Sequence, residues 1–188
     1  MAALRLHLSY VLLTVVIFLL TLVLNTLLFK AVFEHTPGIA WVYLPAGVRL
    51  LCTLLFAEAG GIGLLLASLL VNHLYFFPLD PARAIAGAFA SALAPWLTYR
   101  AARQAWGLQA SLQNLSPTRL LVLAVAYSVA SPALHHVYIA WEDKPGLAGG
   151  FVAMVVGDLV GTLMVLYSIR WALSRWTSPM KAPGSFRN

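Results

Sequence analysis

From Leu8 to Phe29 the chain carries no charged side chain, and roughly 20 apolar residues in a helix cross a bilayer core about 30 Å thick. Such a run must satisfy every backbone amide and carbonyl within itself once it enters lipid, which dictates an α-helix. Arg5 precedes it, but the run is longer than the apolar stretch of a cleaved leader. No small-x-small cleavage pattern follows it, so it reads as a retained first helix. Apolar runs between breakers recur along the 188 residues and predict helices near residues 9–29, 43–57, 62–77, 82–99, 118–140 and 147–171. The expected fold is an all-α polytopic membrane bundle of about six transmembrane helices. It forms a single domain over 1–171, with a basic tail over 172–188. Only 10% of residues are charged and 61% are hydrophobic, against about a quarter charged in soluble domains, so no separate soluble domain is expected.

Local signals punctuate these helices. Gly60 and Gly61 in AEAGG are expected to turn a tight hairpin between the second and third helices. Asp80 before Pro81 marks the start of the fourth, a carboxylate cap followed by a residue that lacks the amide needing one. The connection over residues 100–117 carries Arg100 and Arg103 beside Trp106 and Leu108, which suits either an interfacial helix or a polar loop.

Orientation follows from the basic residues. With a cytoplasmic N-terminus and an even number of crossings, Arg5, Arg100, Arg103, Arg119, Arg170, Arg175, Lys181 and Arg187 lie inside. Only Lys30, Arg83 and Lys144 lie outside, as the positive-inside rule favours. Both termini are therefore expected in the cytoplasm, the membrane being a bacterial inner membrane. Trp41, Tyr43, Tyr75, Tyr138 and Trp141 would form the outer aromatic belt, and Tyr10, Trp96, Tyr99, Trp106, Trp171 and Trp176 the inner one. The net charge of +6 is thus accounted for by topology. The cations cap apolar segments rather than forming a stripe, and no nucleic-acid partner is expected.

Polar residues inside the membrane are the candidate functional ones. Arg49 lies roughly 12 Å below the outer end of the second helix and Asp158 roughly 16 Å below the start of the sixth, at 1.5 Å per residue. An unpaired charge at that depth costs on the order of 3 kcal/mol, so the two are expected to face the interior and meet directly or through water. They are read as a buried charge pair or a ligand site. Gly157 and Gly161 form a small-xxx-small face beside Asp158. The small residues Ala84, Ala88, Ala92, Gly87 and Ser91 make the fourth helix the expected central one. Asn25, Asn72, His73, His135 and His136 are expected to border an outer polar pocket between helices one, two, three, five and six, where Pro132 can kink the fifth.

Four of the five histidines fall on the outer half, a grouping that raises a metal or haem reading. However, His135 and His136 are adjacent and point about 100° apart on a helix, and no haem-attachment or zinc-protease motif is present. Ordinary hydrogen-bonded histidines are the reading adopted, with no metal and no cofactor. Cys52 reads as a small buried apolar residue. The chain contains no nucleophile elbow, P-loop or paired glutamates beside an arginine, so no catalysis is expected.

The stretches around the two buried charges also carry a resemblance. WVYLPAGVRLL, then a Gly-bearing hairpin and an apolar run ending at Asn72, resembles the opening of the MASE1 family of membrane sensory modules. VVGDLVGTLMVLY resembles that family's closing Gly-Asp-x-x-Gly helix. The resemblance is strongest over 41–72 and 155–166, and it singles out Pro45, Gly47, Gly157, Asp158 and Gly161. It implies a module that receives a signal and passes it inward, usually to a linked histidine kinase or cyclic-dinucleotide enzyme. This chain shows six expected crossings rather than the family's usual eight, lacks a polar pair in the fourth helix and carries no output domain. It would therefore act on a separate membrane protein partner after binding a small ligand. A solute-binding transporter component and an accessory subunit of a respiratory or photosynthetic complex are the alternative readings.

Overall fold

Six α-helices form among the described residues of the computed structural model, which are 1–36, 38–108, 112, 114–142 and 147–176. They are α1 (Ala2–Phe33), α2 (Leu44–Phe56), α3 (Glu58–Val71), α4 (Pro81–Trp106), α5 (Pro117–Trp141) and α6 (Leu147–Trp176). A π-helical turn, Asn72–Phe76, extends α3. Between α1 and α2 the chain forms a small antiparallel ribbon of β1 (Glu34–Thr36) and β2 (Ile39–Ala40). It needs a tight reversal, which Gly38 supplies at φ 85°. The basic tail beyond residue 176 and the outer residues Asp143 and Lys144 lie outside the described residues.

Among the described residues, four segments are long and apolar enough to cross a membrane: Ala2–Phe33, Glu58–Phe76, Pro117–Trp141 and Ala148–Leu173. α1 shows why the environment must be lipid. Its buried residues, Thr14, Phe18, Leu22 and Asn25, form one narrow stripe at helical spacing, and many leucines and valines are exposed on the rest of its surface.

The centre of the bundle is α2 rather than the expected fourth helix. α1, α3, α4, α5 and α6 all pack against α2, and 10 of its 13 residues are buried. At about 20 Å it is too short to span a bilayer core, but its neighbours shield it. α4 instead packs between α3 and α5 and along α2. It starts as expected, with Asp80 Oδ1 accepting from the Arg83 amide at 3.0 Å, but it runs past residue 99 to Trp106. The first part of the expected interfacial segment is therefore a continuation of α4, ended by Gly107 in the left-handed region.

The hairpin between α2 and α3 departs from expectation in a second way. Ala57, at φ 50°, makes the reversal, while Gly60 and Gly61 are already helical. Their roles separate. A methyl group at Gly60 would collide with the Cys52 carbonyl, whereas one at Gly61 would meet only the Trp96 ring edge at 3.6 Å. Gly61→Ala is expected to stabilise by about 0.5–1 kcal/mol, the helix-interior advantage of alanine, and Gly60→Ala to destabilise. Unfolding titrations of both variants check this, and equal midpoints would contradict the packing.

Two of the expected belt residues also turn inward. Tyr43 and Tyr99 are buried, while Trp41, Tyr75 and Trp141 remain exposed at the surface.

Candidate ligand-binding cavity

At the end where α1, α3 and α5 finish and α2, α4 and α6 begin, the first turn of α2 is assembled from other elements. Its N-terminus exposes amides that the helix itself cannot satisfy. The Leu44 amide donates to Asn25 Oδ1 of α1 at 2.8 Å, Pro45 has no amide to satisfy, and the Ala46 amide returns to the Tyr43 carbonyl at 3.1 Å. The Tyr43 amide donates across to the Gly157 carbonyl of α6 at 3.2 Å. Gly157 and Gly161 admit this contact, since a methyl group on either would occupy the space of the Ala40 or Tyr43 carbonyl oxygen. The small-residue face of α6 thus receives the extended entry to α2. Gly47, one helical turn on, lies against the Thr162 backbone and Val165. Asn25→Leu, which leaves the buried Leu44 amide unmet, is expected to cost about 1–3 kcal/mol. A midpoint unchanged on unfolding would mean that this cap is dispensable.

This junction fixes the depth of Arg49. The side chain is 5% exposed, and its guanidinium lies 5.2 Å from the ring centroids of both Phe18 and Tyr43, cation–π contacts from two elements. Nη2 donates to the Tyr43 hydroxyl at 3.2 Å, while Nε and Nη1 have no protein acceptor. Asp158 on α6 is 1% exposed, and its Oδ2 has no donor. The charges are near enough to interact electrostatically, but they form no direct ion pair, which corrects the direct form of the expected contact. Tyr127 and Ser131 of α5 stand in the same field, Tyr127 beside Arg49 and Ser131 beside Asp158. The salt bridge found among the described residues, Lys30 to Glu34 at 3.9 Å, lies elsewhere.

Arg49 forms part of the wall of a cavity of about 50 Å³, room for on the order of three or four water molecules. Its polar wall also includes Tyr43, Asn72, Arg83, Ser91 and His135. Ile39, Phe76, Phe77, Ile139 and Met154 supply an apolar side. Of the five residues expected around an outer pocket, Asn72 and His135 border this cavity. Asn25 borders a neighbouring crevice of about 30 Å³ between α1 and the β-ribbon. His73 and His136 border neither. The expected wall also omitted α4, which contributes Arg83, Gly87 and Ser91. Ser91 was legible only as a small residue on a helix face, and Arg83 only as an outer-side cation at the start of the fourth helix.

Three of the histidines bond back to their own helices, and the buried Nε2 of His136 is left without a partner. His73, His135 and His136 each place Nδ1 2.8–2.9 Å from the carbonyl four residues earlier. Nδ1 must therefore carry the proton. In neutral His135, Nε2 is left to accept from the Ser91 hydroxyl at 3.3 Å. Asn72 Nδ2 donates to the Ala84 carbonyl at 3.0 Å, tying the π-helical turn to α4.

These features define an integral membrane helical bundle whose interior holds a small cavity with an arginine in its wall near one end. The sequence model of the MASE1 family matches residues 8–187, and the chain belongs to that family of membrane-associated sensory domains. No curated protein and no solved structure matches it.

Proposed function

We propose that this chain is the receiving half of a membrane signalling pair. A small solute enters from the outer face, occupies the cavity at Arg49 and alters a separate output protein on the cytoplasmic side, without any reaction being catalysed. The observation that carries this reading is that Tyr43 does two jobs. It borders the cavity and holds Arg49, and its amide is bonded to α6 at Gly157. A solute that moves Arg49 or Tyr43 therefore pulls on a helix that continues to the opposite end of the bundle. That end carries Arg5, Arg100, Arg103, Arg119, Arg170 and Arg175, which supports its assignment to the cytoplasm of a bacterial inner membrane.

The test is capture of the tagged full chain from native membranes, with kinase and cyclic-dinucleotide assays on the captured material. An output activity is expected to accompany the chain. Ile139→Trp, which fills the cavity, is expected to abolish regulation of that activity while leaving capture intact. Unchanged regulation in Ile139→Trp would overturn the reading. Capture of an ATPase pair, or of a respiratory or photosynthetic complex, in place of an output enzyme would overturn it in favour of transport or assembly.

A further inference from the structure

We infer that the cavity takes a small monocarboxylate, its carboxylate on Arg49 and a short apolar tail against Ile39, Phe76 and Met154. This rests on the reading of the cavity as the sensory site and names the class of solute it receives.

The charge of the cavity is one-sided. Arg49 lies in its wall and Arg83 of α4 closer to the helix starts, the latter stacked on Phe77 with its guanidinium 4.2 Å from the ring centroid. Among the described residues of the wall there is no aspartate or glutamate, and Asp158 does not border it. A guanidinium has five N–H donors. Nη2 donates to the Tyr43 hydroxyl, while the Nε hydrogen and both Nη1 hydrogens have no acceptor in hydrogen-bond geometry on a side chain 5% exposed. Leaving donors on a charged group unmet away from bulk water is costly. A carboxylate offers two oxygens and the opposite charge, and charge-assisted bonds of this kind are about twice as strong as neutral ones. Water satisfies the same donors but brings no charge, and Asp158 acts on Arg49 only from beyond ion-pair distance.

The remaining wall restricts the ligand further. Ser91 is committed to His135, and Asn72 Nδ2 to Ala84, so most of the other polar groups are already engaged within the protein. The opposite wall is aliphatic and aromatic, a surface that rewards burying methyl or methylene groups and strands further charge. The volume admits only a few heavy atoms. A single carboxylate with a short hydrocarbon tail meets all three conditions. A phosphate fails the second, and a sugar fails the second and third.

The experiment follows thermal unfolding of the full chain in lipid nanodiscs by its own tryptophan fluorescence, at constant ionic strength. Propionate, its uncharged isostere propionamide, and inorganic phosphate are the probes. Propionate is expected to raise the midpoint saturably, with propionamide and phosphate without effect. Arg49→Lys, which keeps the charge but not the planar fork, is expected to weaken propionate binding by about tenfold or more. Should that variant fail to fold, Arg83→Gln carries the test with an expected loss of roughly threefold, since its charge lies closer to solvent. Equal stabilisation by propionamide, a response to phosphate alone, or no saturable response to propionate would each overturn the inference. None of these results touches the regulation of the output enzyme by Ile139→Trp, so failure of the monocarboxylate and failure of the sensory reading remain distinguishable.

Discussion

Gly161→Ala and Gly157→Ala are each expected to destabilise the bundle by about 3 kcal/mol or more, the upper range for forcing atoms into a packed interior. In each variant the new methyl group would fall on a backbone carbonyl oxygen, that of Tyr43 or of Ala40. Neither carbonyl can swing aside as a side chain would. Relief requires lifting the entry of α2 off α6, which breaks the bond from the Tyr43 amide to Gly157. Gly149→Ala, on the same helix, is the control, since its methyl group would meet only His35 Nε2 at 3.8 Å. Its expected change is within about 0.5 kcal/mol. Unfolding midpoints for the three variants provide the check, and similar values would show that the α2 entry does not rest on α6.

Arg49→Gln is expected to cost about 1–3 kcal/mol, the usual loss when a buried polar partner is removed, because it strips Tyr43 of its donor and Asp158 of its nearest opposite charge. Asp158→Asn is also expected to destabilise, and the double variant by less than the sum, with a coupling of at least about 1 kcal/mol. The coupling is expected even without direct contact, because both side chains are buried away from bulk water, where charge is screened poorly. Exchanging the two charges is not expected to restore stability. An arginine at 158 would lose Phe18 and Tyr43, the rings that hold the guanidinium at 49. A double-mutant cycle with the exchanged variant measures all of this. Additivity within about 0.5 kcal/mol would make the two charges independent, and full recovery in the exchanged variant would make them a simple ion pair.

Much of this architecture is legible residue by residue. The start of α4 can be read from Asp80 and Pro81, and the long apolar runs mark where α1, α5 and α6 lie, although α1 begins well before residue 9 and α6 runs on past 171 to Trp176. Arg49 and Asp158 stand out because charge inside an apolar run is expensive wherever it sits. Other features escape such reading. Tyr43 has the composition of a belt residue yet holds the arginine. Gly60 and Gly61 are indistinguishable as neighbours in a presumed turn, yet one faces the α2 backbone and the other a flexible ring edge. Ser91 and Arg83 gain their place in the cavity only because α4 passes beside α2.

The division has a physical cause. Lipid acts on each segment separately, so length and apolar content alone determined that this chain forms helices in a membrane. The positions of its cations supported one orientation for them. Which atoms meet depends on how far each helix is rotated about its axis and how deeply it sits, and those are settled jointly by all the packed neighbours. The tertiary structure therefore decided that short α2 is the centre, that Gly157 and Gly161 carry its entry, and that Arg49 borders a cavity with no protein acceptor on Nε or Nη1.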